Sequence, residues 1–157
     1  YFDAADHNAA AFTPGGFYRT GDLAAVTVVD GGRYLSIEGR IKDLINRGGE
    51  KVNAEEVELL LLAHSGIADV AVVAMPDPRL GEKTCAYLIA RDGEDLPLTE
   101  IQDHLAKLGV AKFKWPERLE WVPSLPHTNV NKIDKKRLRA EIAAKLLAEA
   151  DAPRAVV

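Results

Sequence analysis

Short apolar stretches that alternate with polar residues run through the first part of the chain and predict strands. Residues 25–29 and 34–37 are two such stretches. Between them, residues 30–32 read Asp-Gly-Gly, a sequence that accepts the positive φ angles of a tight hairpin turn. We therefore predict that residues 1–40 form sheet rather than helix and include a β-hairpin.

Beyond Arg40 the pattern changes. Residues 47–50 read Arg-Gly-Gly-Glu, a second turn between two extended pieces. Asn53 followed three residues later by Glu56 resembles a capping box and predicts the start of a helix. Four residues form the apolar stripe of that helix: Val57, Leu60, Leu61 and His64.

Two apolar runs come next. Residues 67–75 are nearly all apolar and β-branched, as expected of a buried strand that the prolines after Met75 end, and residues 85–90 predict its partner strand. Three further elements complete the pattern: a helix capped by Thr99 and closed by Gly109, a strand over 119–122, and a helix that begins near Asp134.

The order β-β-α-β-β-α-β-α after Arg40 predicts an α+β fold of about 110 residues, with a short β-hairpin and a central sheet flanked by helices. Strands from the edge of a larger preceding domain come before it. The chain begins at Tyr1 and its single methionine is Met75, so we expect it to be a piece of a longer protein.

Charge and composition exclude several classes of protein. The net charge is −4, opposite in sign to that of a general nucleic-acid binder, and no apolar run is long enough to cross a membrane. Cys85 is the single cysteine, which excludes an internal disulfide and favours a cytoplasmic location. The four histidines lack metal-ligand spacing, so we predict no metal site.

Two candidate sites lie before residue 45. Residues 18–22 read YRTGD and end in Asp22, whose carboxylate can accept hydrogen bonds from vicinal hydroxyls, although a simple turn aspartate is the plainer interpretation. Residues 39–43 follow, where the composition changes. Arg40 can pair with a phosphate there, or an ordinary surface ion pair can join Arg40 or Lys42 to Asp43.

Two more candidates lie further along the chain. Gly48 and Gly49 allow close backbone approach to a ligand, but glycines also simply make turns. Lys132 lies in a polar loop and can stabilise negative charge on an anionic substrate. The alternative is a solvated basic run that contains Lys132, Lys135 and Lys136.

Taken in order, these motifs resemble a known family. YRTGD at 18–22, GRIKDLINRGGEKVNAEEVE at 39–58 and LPHTNVNKIDKKRL at 125–138 are similar to the ribose-binding, hinge and catalytic-lysine motifs of adenylate-forming enzymes. That superfamily contains acyl-CoA synthetases, nonribosomal peptide adenylation domains and firefly luciferase. Stretches such as HNAAAF at 7–12 and LGEKTCAYL at 80–88 look most like stand-alone aryl-acid AMP ligases, the dihydroxybenzoate- and salicylate-activating enzymes of siderophore pathways.

The resemblance implies two domains and a reaction. Residues 1–41 would be the β-rich end of a large N-terminal adenylation domain, and 42–157 a small C-terminal lid domain with its hinge at Lys42. The whole enzyme would use ATP to convert an aromatic carboxylic acid to acyl-AMP. It would then pass the acyl group to the phosphopantetheine thiol of an aryl carrier protein, or to CoA in the alternative reading.

The resemblance also implies roles for individual residues. Asp22 would hold the ATP ribose hydroxyls, Arg40 would contact the nucleotide, and Lys132 would be the catalytic lysine that bridges the carboxylate and the α-phosphate. Gly48 and Gly49 would line the pantetheine channel. Mg²⁺ would accompany ATP, held through the absent N-terminal domain.

This chain departs from the family pattern before the catalytic lysine. Asn131 stands where the family normally has glycine, and we expect asparagine to tolerate the same left-handed backbone. The phosphate loop and the acid pocket of the family are not in this chain, so we expect the fragment alone to be inactive. A non-catalytic module that docks carrier proteins is the second alternative, although such a module would have no chemical need for Lys132.

Overall fold

The chain divides after Lys42 into two structural units, Tyr1–Lys42 and Asp43–Val157. The computed structural model describes residues 2–151. Each unit has its own secondary structure and is described by itself.

The first unit contains a helix and a hairpin. Helix α1 spans Ala5–Ala11, and strands β1 (Asp22–Val29) and β2 (Gly32–Arg40) pair antiparallel. Asp30 and Gly31 connect the strands with φ angles of 50° and 77°, the signs required at both central positions of a type I′ turn. The predicted hairpin is confirmed, whereas the prediction of sheet without helix is wrong at α1, where alanine-rich sequence favours helix.

The hairpin leaves much apolar surface uncovered. Val28, Tyr34, Leu35 and Ile37 are all more than 60% exposed. A two-stranded sheet needs further strands or a packed helix to be stable in water. Within the first unit these apolar side chains therefore remain exposed to solvent.

The second unit has the predicted order of elements. In chain order they are β3 (Leu44–Arg47), β4 (Glu50–Asn53), α2 (Ala54–Leu62), β5 (Ile67–Asp77), β6 (Gly81–Ala90), α3 (Leu98–Lys107), β7 (Arg118–Trp121) and α4 (Lys135–Asp151). Short 3-10 helices at Ile41–Asp43 and Lys112–Lys114 precede β3 and β7. The predicted order β-β-α-β-β-α-β-α and the α+β class are confirmed.

One five-stranded sheet organises this unit. β5 and β6 form a long antiparallel ladder that runs from Ile67 opposite Ala90 to Asp77 opposite Gly81. β3 joins β6 at Gly81 and pairs with β4, while β7 runs parallel to β6 further along. β5 ends within the predicted segment Pro76-Asp77-Pro78. It includes Pro76, because β5 is the last strand of the sheet order and an edge strand tolerates proline.

The sheet is buried on both faces, which explains the apolar runs. Alternate side chains of β5 and β6 enter two separate cores. One core, with Val72 and Leu88, packs against α2 and α3. The other, with Val73 and Tyr87, packs against Leu138 and Ile142 of α4, so the layers run helix, sheet, helix.

Of the helix ends predicted from the sequence, two are confirmed and one is wrong. The Asn53 side chain accepts a hydrogen bond from the N–H of Glu55, so Asn53 is the predicted N-cap of α2. Gly109 follows α3 with a φ of 72°, as predicted for a helix-ending glycine. The prediction of Thr99 as the cap of α3 is wrong, since the Pro97 carbonyl accepts the first hydrogen bonds and Thr99 lies within the first turn.

Acid should weaken this unit partly through Asp77 at the end of β5. Its carboxylate accepts hydrogen bonds from the N–H groups of Arg79 and Leu80 and pairs with Lys83 at 2.6 Å. The hydrogen bond from Lys83 is the main reason that the pKa of Asp77 is lowered to about 2. Because the folded pKa lies below the unfolded value of about 4, this contribution is present above pH 4 and lost as the pH falls through 2.

We therefore expect Asp77→Asn to lower the free energy of unfolding at pH 7 and to flatten its decline between about pH 4 and pH 2. Urea unfolding at a series of pH values measures both effects. Asp103→Asn, at an exposed position on α3, is the control. An unchanged pH slope in Asp77→Asn would contradict this account of the turn.

Candidate functional site

Lys132 lies in a closed turn between β7 and α4. His127 and Ile133 form an antiparallel bridge across the base of the turn. Inside it, the Thr128 N–H donates to the Lys132 carbonyl at 2.7 Å, and the Thr128 hydroxyl accepts from the Lys132 N–H at 3.3 Å. The turn is therefore held by its own hydrogen bonds, and it presents the Lys132 side chain to solvent.

Asn131 gives this turn its shape. Its φ is 57°, in the left-handed region that glycine and asparagine adopt most readily. Its N–H donates to the Thr128 carbonyl at 2.9 Å, which closes the turn. The expectation that Asn131 reproduces a left-handed geometry is confirmed.

A partly buried ion pair, which the sequence analysis did not predict, lies next to the turn. Lys135, the first residue of α4, pairs with Glu58 of α2 at 2.8 Å, and each side chain is 15% exposed. Glu58 also accepts the N–H of Val72 at 2.6 Å. Burial raises the pKa of Glu58, while its hydrogen bond and charge interaction with Lys135 oppose that rise.

A signal for Glu58 is present in the sequence. Buried residues Ala54, Val57 and Leu61 occupy the core face of α2, and Glu58 falls on that same face by helical spacing. An acidic residue on the apolar face of a helix predicts a buried partner of opposite charge.

Asp22 and Arg40 are brought together in the first unit. The two residues are opposite each other in the β1–β2 register, and the Arg40 Nε lies 3.1 Å from an Asp22 oxygen. Arg40 also donates to the Thr20 carbonyl at 3.2 Å. Both side chains are at least one-third exposed, so a carboxylate oriented by a guanidinium remains accessible to a hydroxyl-bearing ligand.

Lys42 lies within the 3-10 helix that ends the first unit, and its side chain is exposed. The alternative that Arg40 or Lys42 pairs with Asp43 is wrong, because Arg40 pairs with Asp22, and Asp43 pairs with Arg139 of α4 at 3.2 Å. Asp43 belongs to the second unit, so this pair holds the start of that unit against α4.

Gly48 and Gly49 form the two-residue turn between β3 and β4. Their φ angles are 59° and 100°. The Gly48 N–H donates to the Leu80 carbonyl at 2.8 Å, and a Cβ at Gly48 would lie 3.0 Å from a Leu80 methyl carbon. Turn geometry and close packing therefore both favour glycine at position 48.

A cleft beside this turn is rich in charge. Its lining includes three cations, Arg47, Arg79 and Lys83, together with the carboxylates Asp77 and Glu117 and the side chain of Leu80. Arg47 pairs with Glu117 at 2.8 Å, and Lys83 with Asp77 at 2.6 Å. Two of the three cations that line the cleft are therefore already paired with carboxylates.

Over residues 2–151, no group of three or more His, Cys, Asp or Glu side chains is arranged to hold a metal ion. Nor does that part of the chain contain a helix with the length and apolarity needed to span a membrane.

Residues 56–132 match the family described as the AMP-binding enzyme C-terminal domain. The region runs from the first turn of α2 to Lys132 and contains the three strands β5, β6 and β7 and helix α3. This stretch of the chain is therefore similar to the C-terminal domain of AMP-binding enzymes.

The chain is also similar to individual proteins of known name. The chain is 53% identical over 148 residues to the 2,3-dihydroxybenzoate-AMP ligase of Bacillus subtilis, covering 94% of this chain and 27% of that protein. It is 52% identical over 145 residues to a salicylyl-CoA synthase / salicylate adenylyltransferase of a Streptomyces species, covering 92% of this chain and 26% of that protein. The chain thus spans about a quarter of the length of these relatives.

A solved structure gives the same fold. The crystal structure of ATP-bound MatB from Rhodopseudomonas palustris matches 90% of this chain and 27% of its own with a TM-score of 0.78 and 29% identity.

The left-handed backbone at Asn131 allows a direct test of the Lys132 turn. We expect Asn131→Ala to lower the free energy of unfolding by about 1 kcal/mol, because alanine lacks the short polar side chain by which asparagine compensates for Cβ crowding in the left-handed conformation, and Asn131→Gly to be neutral or stabilising. Urea unfolding measures both changes. Asn129→Ala is the matched control, because Asn129 lies in the same turn without a positive φ. Equal effects at positions 129 and 131 would contradict the geometric explanation.

Proposed function

We propose that this chain is the C-terminal portion of an ATP-dependent aryl-acid ligase. In the first step a substrate carboxylate oxygen attacks the α-phosphorus of ATP and pyrophosphate leaves. In the second step a thiol attacks the acyl carbon and AMP leaves, which gives a thioester. The observation that carries the proposal is the ordered turn presenting Lys132 within a chain that aligns almost completely with an aryl-acid AMP ligase.

Lys132 is the catalytic residue of the first step. Negative charge builds up on the carboxylate and α-phosphate oxygens as the bond between them forms. An exposed ammonium on a fixed turn can be delivered to those oxygens and stabilise that charge. The hydrogen bonds of the turn support this role because they restrict the backbone of Lys132 before substrate arrives.

Asp22 and Arg40 bind the nucleotide. A carboxylate that an arginine holds in place is suited to accept hydrogen bonds from the two ribose hydroxyls of ATP. Mg²⁺ would be held by the triphosphate and by residues of the N-terminal domain, outside this chain. ATP binding therefore needs the rest of the enzyme.

The domain assignment follows from the same proposal. Residues 1–41 are the end of the large adenylation domain, and residues 42–157 are the lid, with the hinge at Lys42. The exposed apolar side chains of the β1–β2 hairpin support this assignment, because they need a packing partner that a large domain would supply.

The acceptor is the phosphopantetheine thiol of an aryl carrier protein. Gly48 and Gly49 line its channel, where the absence of side chains lets the backbone approach the arm closely. Free CoA is the alternative acceptor, favoured by the relative named as a salicylyl-CoA synthase. A module that docks carrier proteins without catalysis remains the second alternative.

The substrate is an aromatic carboxylic acid, and the pathway is siderophore biosynthesis in the cytoplasm. The names of the dihydroxybenzoate and salicylate relatives support the choice of acid. A buried Cys85 thiol, rather than a disulfide, fits a reducing compartment.

Pyrophosphate exchange with ATP and a panel of aromatic acids tests this function in the complete enzyme. We expect Lys132→Ala to slow acyl-AMP formation about 100-fold and to spare thioester formation from supplied acyl-AMP, because the cation serves only the first step. Lys136→Ala removes a neighbouring exposed cation and should leave both steps intact. Equal losses in both steps, or in both variants, would contradict the role of Lys132.

We expect Lys42→Pro in the complete enzyme to spare adenylation and block transfer to the thiol. A hinge must visit two backbone conformations, and proline fixes φ near −65° and restricts the preceding residue. Single-turnover thioester formation from preformed acyl-AMP, with acyl-AMP synthesis measured in parallel, separates the two steps. Lys42→Ala is the control for loss of the side chain. Transfer at the unmutated rate would show that Lys42 is not the hinge, and the Gly48–Gly49 turn would be the next candidate.

A further inference from the structure

The carboxylate of Glu58 joins three elements of the second unit. It projects from α2, accepts the N–H of Val72 in β5 at 2.6 Å and pairs with Lys135 of α4 at 2.8 Å. Both contacts converge on the same oxygen, Oε1, and both charged side chains are 15% exposed. The position of Lys135 is therefore fixed relative to the sheet as well as to α2.

Burying an ion pair is a costly way to join two helices. Removal of both charges from water consumes much of their attraction, so apolar residues of similar size often stabilise a fold as well or better. A pair of this kind does, however, restrict geometry more closely than an apolar contact, because the hydrogen bonds demand particular distances and directions.

Lys135 is close enough to Lys132 along the chain for a restriction on its position to restrict the Lys132 turn. Two residues, Ile133 and Asp134, separate the two positions, and Asp134 donates its N–H to the Pro126 carbonyl at 2.8 Å. The turn over residues 126–134 thus closes immediately before the residue that Glu58 holds. Movement of Lys135 would be transmitted through Asp134 and Ile133 to the turn.

A second ion pair on the same side of α4 orients the helix. Arg139 follows Lys135 by four positions, one helical turn, and pairs with Asp43 at 3.2 Å. Two contacts along one face define the direction of a helix, whereas one contact allows it to swing. The beginning of α4, and the turn attached to it, therefore have a defined orientation.

We propose that Glu58 is a positioning residue for Lys132, acting through Lys135 at the start of α4. The role in catalysis rests on the proposed function, while the restraint on the turn is a property of this chain and is tested separately.

Backbone amide hydrogen exchange on the 157-residue chain tests the restraint. We expect Glu58→Gln and Lys135→Met to accelerate exchange in residues 128–134 about tenfold, because the turn opens more often when its anchor is lost. Lys135→Arg should restore slow exchange, since arginine can pair with the same carboxylate. Glu149→Gln, which removes the partner of Arg118 near the far end of α4, is the matched control and should leave the turn unchanged.

A single variant leaves one buried charge unpaired and can destabilise the whole domain. The double variant Glu58→Gln with Lys135→Met removes both charges, so we expect it to keep the fold while losing the ion pair between α2 and α4. Faster exchange confined to the turn in the double variant supports the proposal. Exchange at the wild-type rate in that turn overturns it.

Pyrophosphate exchange in the complete enzyme tests the consequence for catalysis. We expect Glu58→Gln and the double variant to lower kcat of adenylation about tenfold with little change in KM for ATP, because Lys132 is displaced while nucleotide contacts remain. Lys135→Arg should recover most of kcat. A change in KM for ATP without a change in kcat would overturn the positioning role. Failure of Lys135→Arg to recover kcat would overturn it as well.

The two experiments fail separately. If the wild-type enzyme activates no aromatic acid, the proposed function is wrong, and hydrogen exchange still decides whether Glu58 restrains the turn.

Discussion

The antiparallel pairing of β5 with β6 is the interaction on which the second unit depends. Its side chains supply both cores, so α2 and α3 pack on one face and α4 on the other. β3 joins at Gly81, and β7 pairs with residues 85–88 of β6. The turn that carries Lys132 lies between β7 and α4, two elements that are each positioned by this one ladder.

Polar contacts fix the orientation of α4 on the sheet more closely than the β5–β6 ladder does. Apolar packing of Leu138 and Ile142 holds α4 against the sheet but permits some sliding and rotation. Charged groups at the beginning of α4 remove that freedom. The two kinds of contact together position the turn that carries Lys132, since apolar packing holds α4 on the sheet and directional bonds align it.

Much of this arrangement can be predicted from the sequence, and the exceptions have physical reasons. Turns made by Asp30-Gly31 and Gly48-Gly49 follow from local backbone preference, and the buried strands follow from long apolar runs. The helix at Ala5–Ala11 was missed because seven residues give too short a pattern to compete with the strands that follow. Pro76 was placed outside its strand because edge position is a property of the whole sheet.

The site divides in the same way. Motif resemblance marks Lys132, Asp22 and Arg40, and the antiparallel register brings Asp22 and Arg40 opposite each other. The partners of Glu58 and Asp43 lie far along the chain, on α4, so no local pattern specifies them. A charged residue on a buried helix face predicts a partner of opposite charge, but it does not identify that partner.

The uncovered hairpin has a consequence for handling the chain in solution. Its apolar side chains and the unpaired edges of its two strands can meet those of another copy, and exposed edges of this kind favour self-association. The sheet of the second unit, in contrast, is covered by helices on both faces. A polypeptide beginning at Asp43 lacks the hairpin and should consequently self-associate less than the longer chain at the same concentration.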